Sequence, residues 1–176
     1  YKAASWQALR IAAKSRILDV ACGVGFDAIE LARRHPAAEI VGVDRSKRFL
    51  DVARARAQGV KNVTLVDGEA DRLPFEKAAF DGVRIDRSLQ HIASPLNAVR
   101  EMARVVRPGG RVVITEPDWG TFFVYNGAVE TGEAIAAFWR KSFANPFIGR
   151  EAGGLLASCG VTDIACRSHA LTVTRL

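Results

Sequence analysis

The chain has 176 residues, a formal charge of +6 and apolar and charged fractions of 49% and 25%, which suit one soluble globular domain burying roughly 70% of its unfolded surface. No apolar run approaches the ~20 residues of a membrane span, and no signal-peptide pattern is present. Cys22, Cys159 and Cys166 are odd in number and stand in no CxxC or Cys/His metal spacing, so a reducing, cytoplasmic setting without a metal site is expected.

The positive charge raises the question of a nucleic-acid partner. The arginines, however, fall at helix-surface positions (Arg33, Arg34, Arg54, Arg56, Arg100, Arg104), and no basic run is interleaved with aromatics as in a strand-binding groove. A solvated basic surface is the better reading. The chain opens at Tyr1 inside a helix-like segment, so the native N-terminus is expected upstream.

Five short apolar, β-branched runs predict strands, with helical patterns between them. Ile17–Val20 comes first and leads through small residues into a helix over Phe26–His35, with Phe26, Ile29 and Ala32 or Ala28 apolar and Pro36 as its stop. Ile40–Val43 follows, then a helix over Ser46–Gln58 with a serine start, apolar Phe49, Leu50 and Ala53, and a Gly59 stop. Val63–Val66 and Gly82–Ile85 are the third and fourth runs. Ser94-Pro95 is a cap followed by proline at the first helical position. That helix is expected to bury Leu96, Val99, Met102 or Ala103, and Val106, and to end at the Arg107–Gly110 turn. Val112–Thr115 is the fifth run. An aromatic loop follows, then helix-like segments over Glu130–Phe143 and Arg150–Ser158, and a last strand from Val161 into "LTVTRL".

Strands alternating with helices imply a parallel sheet with right-handed crossovers, which binds ligands at the carboxyl edge of its strands. Asp19, Asp44, Asp67, Asp86 and Glu116 close the five runs. Any one could be a turn or cap residue. Five in series predict an electron-rich crevice suited to a ligand rich in hydroxyls, amino groups or positive charge.

Four patches together resemble the class I S-adenosylmethionine-dependent methyltransferases of the small-molecule type, such as those of ubiquinone and menaquinone biosynthesis. They are "ILDVACGVG", "VGVDRS", "GEADRLPF" and "RSLQHIASPLNAVREMARVVRPGG", in order and at the family's spacing. The resemblance implies an α/β, doubly wound, mostly parallel sheet of the Rossmann-like methyltransferase type, cut short at one or both ends. It implies a single S-adenosylmethionine-binding domain over residues 1–176, without the N-terminal lid and the last strand.

The resemblance also assigns residues. The loop from Asp19 to Gly25, with Ala21 where the family has its first glycine, would lie against the methionine and ribose portion. Gly23 and Gly25 would let the backbone approach the cofactor without a Cβ in the way. Ala21 is expected to be tolerable if its φ is negative. Asp44 would accept hydrogen bonds from both ribose hydroxyls, with Arg45 beside it. Glu69, where the family has Asp, and Ala70 would meet adenine. Arg87 would lie beside the methionine end. The implied reaction transfers methyl to a small-molecule acceptor and releases S-adenosylhomocysteine.

Rival readings use the same residues. Gly23-x-Gly25-x-x-Ala28 can be forced into a dinucleotide fingerprint, but that leaves "GEADRLPF" and "RVVRPGG" unexplained. A nucleic-acid methyltransferase acting on base nitrogens would carry an Asn/Asp-Pro-Pro-aromatic patch where this chain has "DRSLQHI". A protein that binds the cofactor without catalysis is the third alternative. His91, between the fourth run and the Ser94 cap, is the candidate base, weighed against a packed loop histidine. Trp119, Phe122, Phe123 and Tyr125 follow the fifth run and would line an acceptor pocket for an apolar or flat molecule, although Phe122 and Phe123 could equally be core. Cys22 reads as a small packed residue, and Trp6 and Trp139 as helix-packing residues. Oligomeric state is not legible.

Overall fold

A computed structural model describes residues 1–125 and 127–170. Its elements are α1 (Lys2–Ala8), β1 (Arg16–Val20), α2 (Phe26–Arg34), β2 (Glu39–Asp44), α3 (Lys47–Arg56), β3 (Val63–Asp67), β4 (Phe80–Asp86), α4 (Pro95–Val105), β5 (Val106–Thr115), α5 (Val129–Lys141) and α6 (Ile148–Ser158). The strands pair in parallel in the order β3-β2-β1-β4-β5. The chain winds outward from β1 to β3, then crosses to β4 and winds the other way. The switch point therefore lies between the carboxyl ends of β1 and β4.

β1, β2 and β4 are buried on both faces, which is why they read as apolar runs rather than alternating ones, whereas β3 and β5 are half-buried or exposed along their length. Leu18, Val20, Val41, Val43, Val83 and Ile85 face one layer, where they pack with Val99 and Met102 of α4 and Leu156 of α6. Ile17 and Ile40 face the other, against Ala28, Leu31 and Ala32 of α2 and Leu9, just past α1. The 3.6-residue period of α2 lines up these apolar positions while Arg33 and Arg34 stay exposed. Ser46 caps α3, its Oγ accepting from the Phe49 N–H at 3.3 Å.

The five expected strands all form, each a little longer than its apolar run. Three details differ from expectation. The Arg107–Gly110 turn lies within β5, which begins at Val106 directly after α4, with an irregular register opposite Phe80 and Gly82. The residues α4 buries are Ala98, Val99, Met102 and Val105, while Leu96 and Val106 are only half-buried. The helix therefore presents a face rotated slightly from the predicted one, set by packing on β4 and β5. Residues 161–170 contain no strand, and the remainder of the expected last strand lies outside the described residues.

The connection from β3 to β4 has no helix. Instead α4 holds it. Glu101 accepts from the Leu73 N–H at 2.9 Å, and Arg104 donates to the Phe75 carbonyl at 2.8 Å and the Leu73 carbonyl at 3.1 Å.

Candidate cofactor site

The turn between β1 and α2 is built on left-handed backbone. Ala21, Gly23 and Gly25 have φ of 52°, 56° and 78°. The expected negative φ at Ala21 is not adopted, so this residue carries the strain that the family's first glycine would avoid. The glycines serve different ends. A Cβ on Gly23 would meet nothing within 4 Å, so this position faces open space. A Cβ on Gly25 would stand 2.9 Å from the Ala53 Cβ, so here the missing side chain lets the turn pack on α3. The Cys22 N–H donates to the Val43 carbonyl at 3.0 Å, which ties the turn to β2. Burial pushes the Cys22 thiol well up, in keeping with a packed residue and not a thiolate.

Asp44 closes β2 and is nearly buried. One carboxylate oxygen accepts from the Gly23 N–H and the other from the Ser46 N–H, both at 2.8 Å. The carboxylate is thus held in one orientation by the turns on either side of it. Each oxygen keeps a lone pair for a further donor, the arrangement a vicinal diol requires. Arg45, the next residue, is exposed. Asp67 lies opposite Asp44 in the sheet register, 3.8 Å from the Lys47 ammonium. Glu69 is exposed and bridges to Arg72, and Ala70 is partly buried against the core. These residues form one continuous edge over β2 and β3.

The other acids do not join that edge, a correction to the expected row of five. Asp19 is 2% exposed and sits one residue short of the end of β1, in register with Arg84 of β4. The Arg84 Nη1 donates to it at 2.6 Å. Asp86 lies 3.3 Å from the same guanidinium and 3.0 Å from the Lys2 ammonium. Side chains two apart in a strand share a face, so Arg84 and Asp86 both project toward the α1 and α2 layer and away from the crevice rim. Burial raises the Asp19 carboxyl to about 6, against the opposing pull of Arg84. Glu116 turns back to the segment after β4, accepting from the Ser88 and Leu89 N–H groups at 2.7 Å each. Burial pushes it up to about 7.

Arg87, also left-handed at φ 52°, is exposed at the β4 exit. Its N–H donates to the Thr115 carbonyl at 2.8 Å and its own carbonyl accepts from Gln90 Nε2 at 2.8 Å. Buried Gln90 in turn accepts from Trp119 Nε1 at 2.7 Å. Trp119 stacks on Phe143 with ring centroids 4.6 Å apart and touches Phe122 edge-on. His91 is exposed in a 3-10 turn, its ring 5.4 Å from Phe143. The aromatic loop is therefore divided: Trp119 anchors the β4 exit, while Phe123 and Tyr125 are 78% and 74% exposed. Trp6 packs beside the α1 and α2 core, and Trp139 joins the Trp119 cluster.

Sequence reasoning missed Arg84, Lys2, Asp27, Gln90 and Asn145. The Asn145 Nδ2 donates to the Leu89 and Ile92 carbonyls at 2.9 and 2.7 Å, fixing the loop that carries His91. One signal was present: an arginine inside the otherwise apolar run of a central strand.

Residues 18–114 match a family described as "Methyltransferase domain". The chain is 35% identical over 162 residues to an uncharacterized 37.1 kDa protein in transposon Tn4556 of Streptomyces fradiae, covering 91% of this chain and 47% of that protein. It is 39% identical over 112 residues to the demethylmenaquinone methyltransferase of Staphylococcus aureus (strain JH9), covering 63% of this chain and 46% of that enzyme. The chain spans about half the length of these curated relatives. Among solved structures, the YcgJ protein of Bacillus subtilis superposes with a TM-score of 0.72 at 26% identity, covering 90% of this chain and 66% of that one.

Proposed function

The chain belongs to the methyltransferase-domain family, and from that membership we propose that it transfers methyl from S-adenosylmethionine to a small molecule. Residues 1–176 act as a single cofactor-binding domain. The observation that carries this reading is Asp44, a carboxylate clamped by the Gly23 and Ser46 N–H groups, its remaining lone pairs available to a ribose diol. The open space at Gly23 fits close approach of the same ligand to the backbone.

In this assignment Asp44 holds the ribose, with Arg45 flanking it. Glu69 and Ala70 meet the adenine, and Arg87 borders the methionine end at the β4 exit. Asp19 acts from beneath the Ala21, Gly23 and Gly25 turn by holding it, since Arg84 occupies its carboxylate. The bound cofactor supplies a methyl carbon on a sulfonium sulfur, open to nucleophilic attack. The chain's part is to align an acceptor for that attack, and proximity alone accounts for much of the acceleration. His91, exposed beside Phe143, would take a proton from the acceptor only where the reaction needs a base; otherwise it is a loop histidine packed on Phe143. The acceptor is a small molecule, as the name of the Staphylococcus aureus relative suggests, and not a nucleic acid.

Calorimetric titration with S-adenosylhomocysteine tests the reading. The unaltered chain is expected to bind it and not NAD. Asp44→Ala is expected to weaken binding about 10- to 100-fold, the worth of one charge-assisted hydrogen bond of about 1.5–3 kcal/mol. NAD binding in its place would overturn the cofactor assignment. Cofactor binding without transfer to any of a panel of quinones, phenols and amines would favour a non-catalytic role. Tight RNA binding with a steep salt dependence would favour a nucleic-acid acceptor.

A further inference from the structure

The largest fully buried side chain in the described part of the molecule is a charged one. Arg84 is 1% exposed in the middle of β4, where its strand neighbours Val83 and Ile85 are core residues. Burying an ion is heavily penalised unless its partners are close and well aimed. Here they are. Nη1 meets Asp19 at 2.6 Å, and Nη2 meets Asp27 at 3.1 Å and Asp86 at 3.3 Å. Lys2 of α1 closes the cluster, 2.6 Å from Asp27 and 3.0 Å from Asp86. Burial lowers the Arg84 pKa, but Asp19, Asp27 and Asp86 outweigh it, so the guanidinium is held above its ordinary range and stays charged.

The three carboxylates are not scattered along the chain. Asp19 stands before the β1–α2 turn, Asp27 after it, and Asp86 at the β4 exit. Ala21, two residues past Asp19, and Arg87, next to Asp86, are the two non-glycine residues of the site with left-handed backbone. Such residues persist only where their surroundings over-determine them. We propose that Arg84 is the positioning residue of the cofactor site, its guanidinium clasping Asp19, Asp27 and Asp86 so that the corners at Ala21 and Arg87 stay in place. This rests on the β1–α2 turn holding S-adenosylmethionine as proposed above. Arg84 touches neither cofactor nor acceptor. A planar guanidinium satisfies several carboxylates at once, which the point charge of a lysine cannot reproduce.

The test is S-adenosylhomocysteine affinity by calorimetry, alongside circular dichroism and thermal melting of the ligand-free protein. Arg84→Lys is expected to keep the native spectrum while binding at least tenfold more weakly. Ala21→Gly added to Arg84→Lys is expected to restore most of that loss, because glycine holds the left-handed corner unaided. A folded Arg84→Lys variant within twofold of the unaltered chain overturns the role of Arg84 and leaves the cofactor reading standing. So does a tenfold loss that Ala21→Gly fails to restore. Absence of binding to the unaltered chain overturns both.

Should Arg84→Lys not fold, the unaltered chain carries the test. Asp19 faces Arg84 and Asp86 from β4, Asp27 from α2 and the Cys22 thiol from the turn, and Asp44 reaches that thiol from β2, the other neighbour strand of β1. Lys2 of α1 reaches the same cluster through Asp27 and Asp86. Protonation of Asp19 on going from pH 7.5 to 5 releases its hold on Arg84, so affinity is expected to fall at least fivefold. A flat profile overturns the proposal.

Discussion

A single added methyl at Gly25 would be felt twice, once in a backbone of φ 78° and once against the Ala53 Cβ at 2.9 Å. Gly25→Ala is expected to lose about 2–5 kcal/mol of stability, read from chemical denaturation, since left-handed strain costs about 1–2 kcal/mol and overpacking about 1–3 kcal/mol. His91 sits at the opposite extreme, exposed and held through its backbone N–H to the Ser88 carbonyl. If alignment of the acceptor supplies most of the rate, His91→Ala should lower kcat less than about tenfold, whereas loss of a true general base costs about 10²–10⁴. The family resemblance singles out Asp44 among the acids that close the apolar runs, and the fold sets it between the Gly23 and Ser46 N–H groups. The sequence did not carry Arg84. A charge within a strand reads as a flaw in the apolar pattern until the register sets Asp19 beside it. The identities were all visible; the pairings came only with the three-dimensional arrangement.

Elements were more legible than contacts, and the reason is burial. Strands covered on both faces are mostly apolar, so β1, β2 and β4 announce themselves despite the buried charges of Asp19 and Arg84, and half-buried β3 does so by its β-branched run. β5 begins ahead of its apolar run: Pro108, Gly109 and Gly110 look like a turn in the sequence, and the irregular register opposite Phe80 absorbs them into the strand. The buried face of α4 differs from the sequence expectation at Leu96 and Val106, because apolar residues on both flanks of the stripe leave its centre ambiguous. Its centre is Met102, fully buried against the sheet. Met102→Ala is expected to cost about 2–5 kcal/mol by loss of transfer energy and creation of a cavity. Ser46→Ala, by contrast, removes one cap hydrogen bond at the start of α3 and should cost about 1 kcal/mol.

Over the whole molecule, two buried carboxyls set an unusual response to pH. Burial lifts Asp19 to about 6 and Glu116 to about 7, both above the ordinary carboxyl range that applies when the chain is unfolded. Between the unfolded and folded values the native state keeps a proton that the unfolded state has lost. Stability from these groups is therefore full at low pH and drains away as pH rises from about 4 to about 7. Glu101 and Asp27 act in the opposite sense. Hydrogen bonds from Arg104 hold Glu101 low; burial opposes, but Lys2 and Arg84 outweigh it at Asp27. Their stabilisation is lost only when pH falls through those lowered values. The melting temperature is accordingly expected to be higher near pH 5.5 than near pH 8. Glu116→Gln should flatten the underlying difference in unfolding free energy by up to about 2 kcal/mol.

The segment from β3 to β4 carries Glu69 and Ala70, proposed to meet the adenine, yet it owns no helix and depends on Glu101 and Arg104 of α4 to keep its path. A charge neutralised on α4 would thus slacken this segment from the residues that hold it, without touching Glu69 or Ala70. Exposed Arg72 and Lys77 make that slackening visible, because trypsin would nick the chain there in Glu101→Ala well before it cut the unaltered protein.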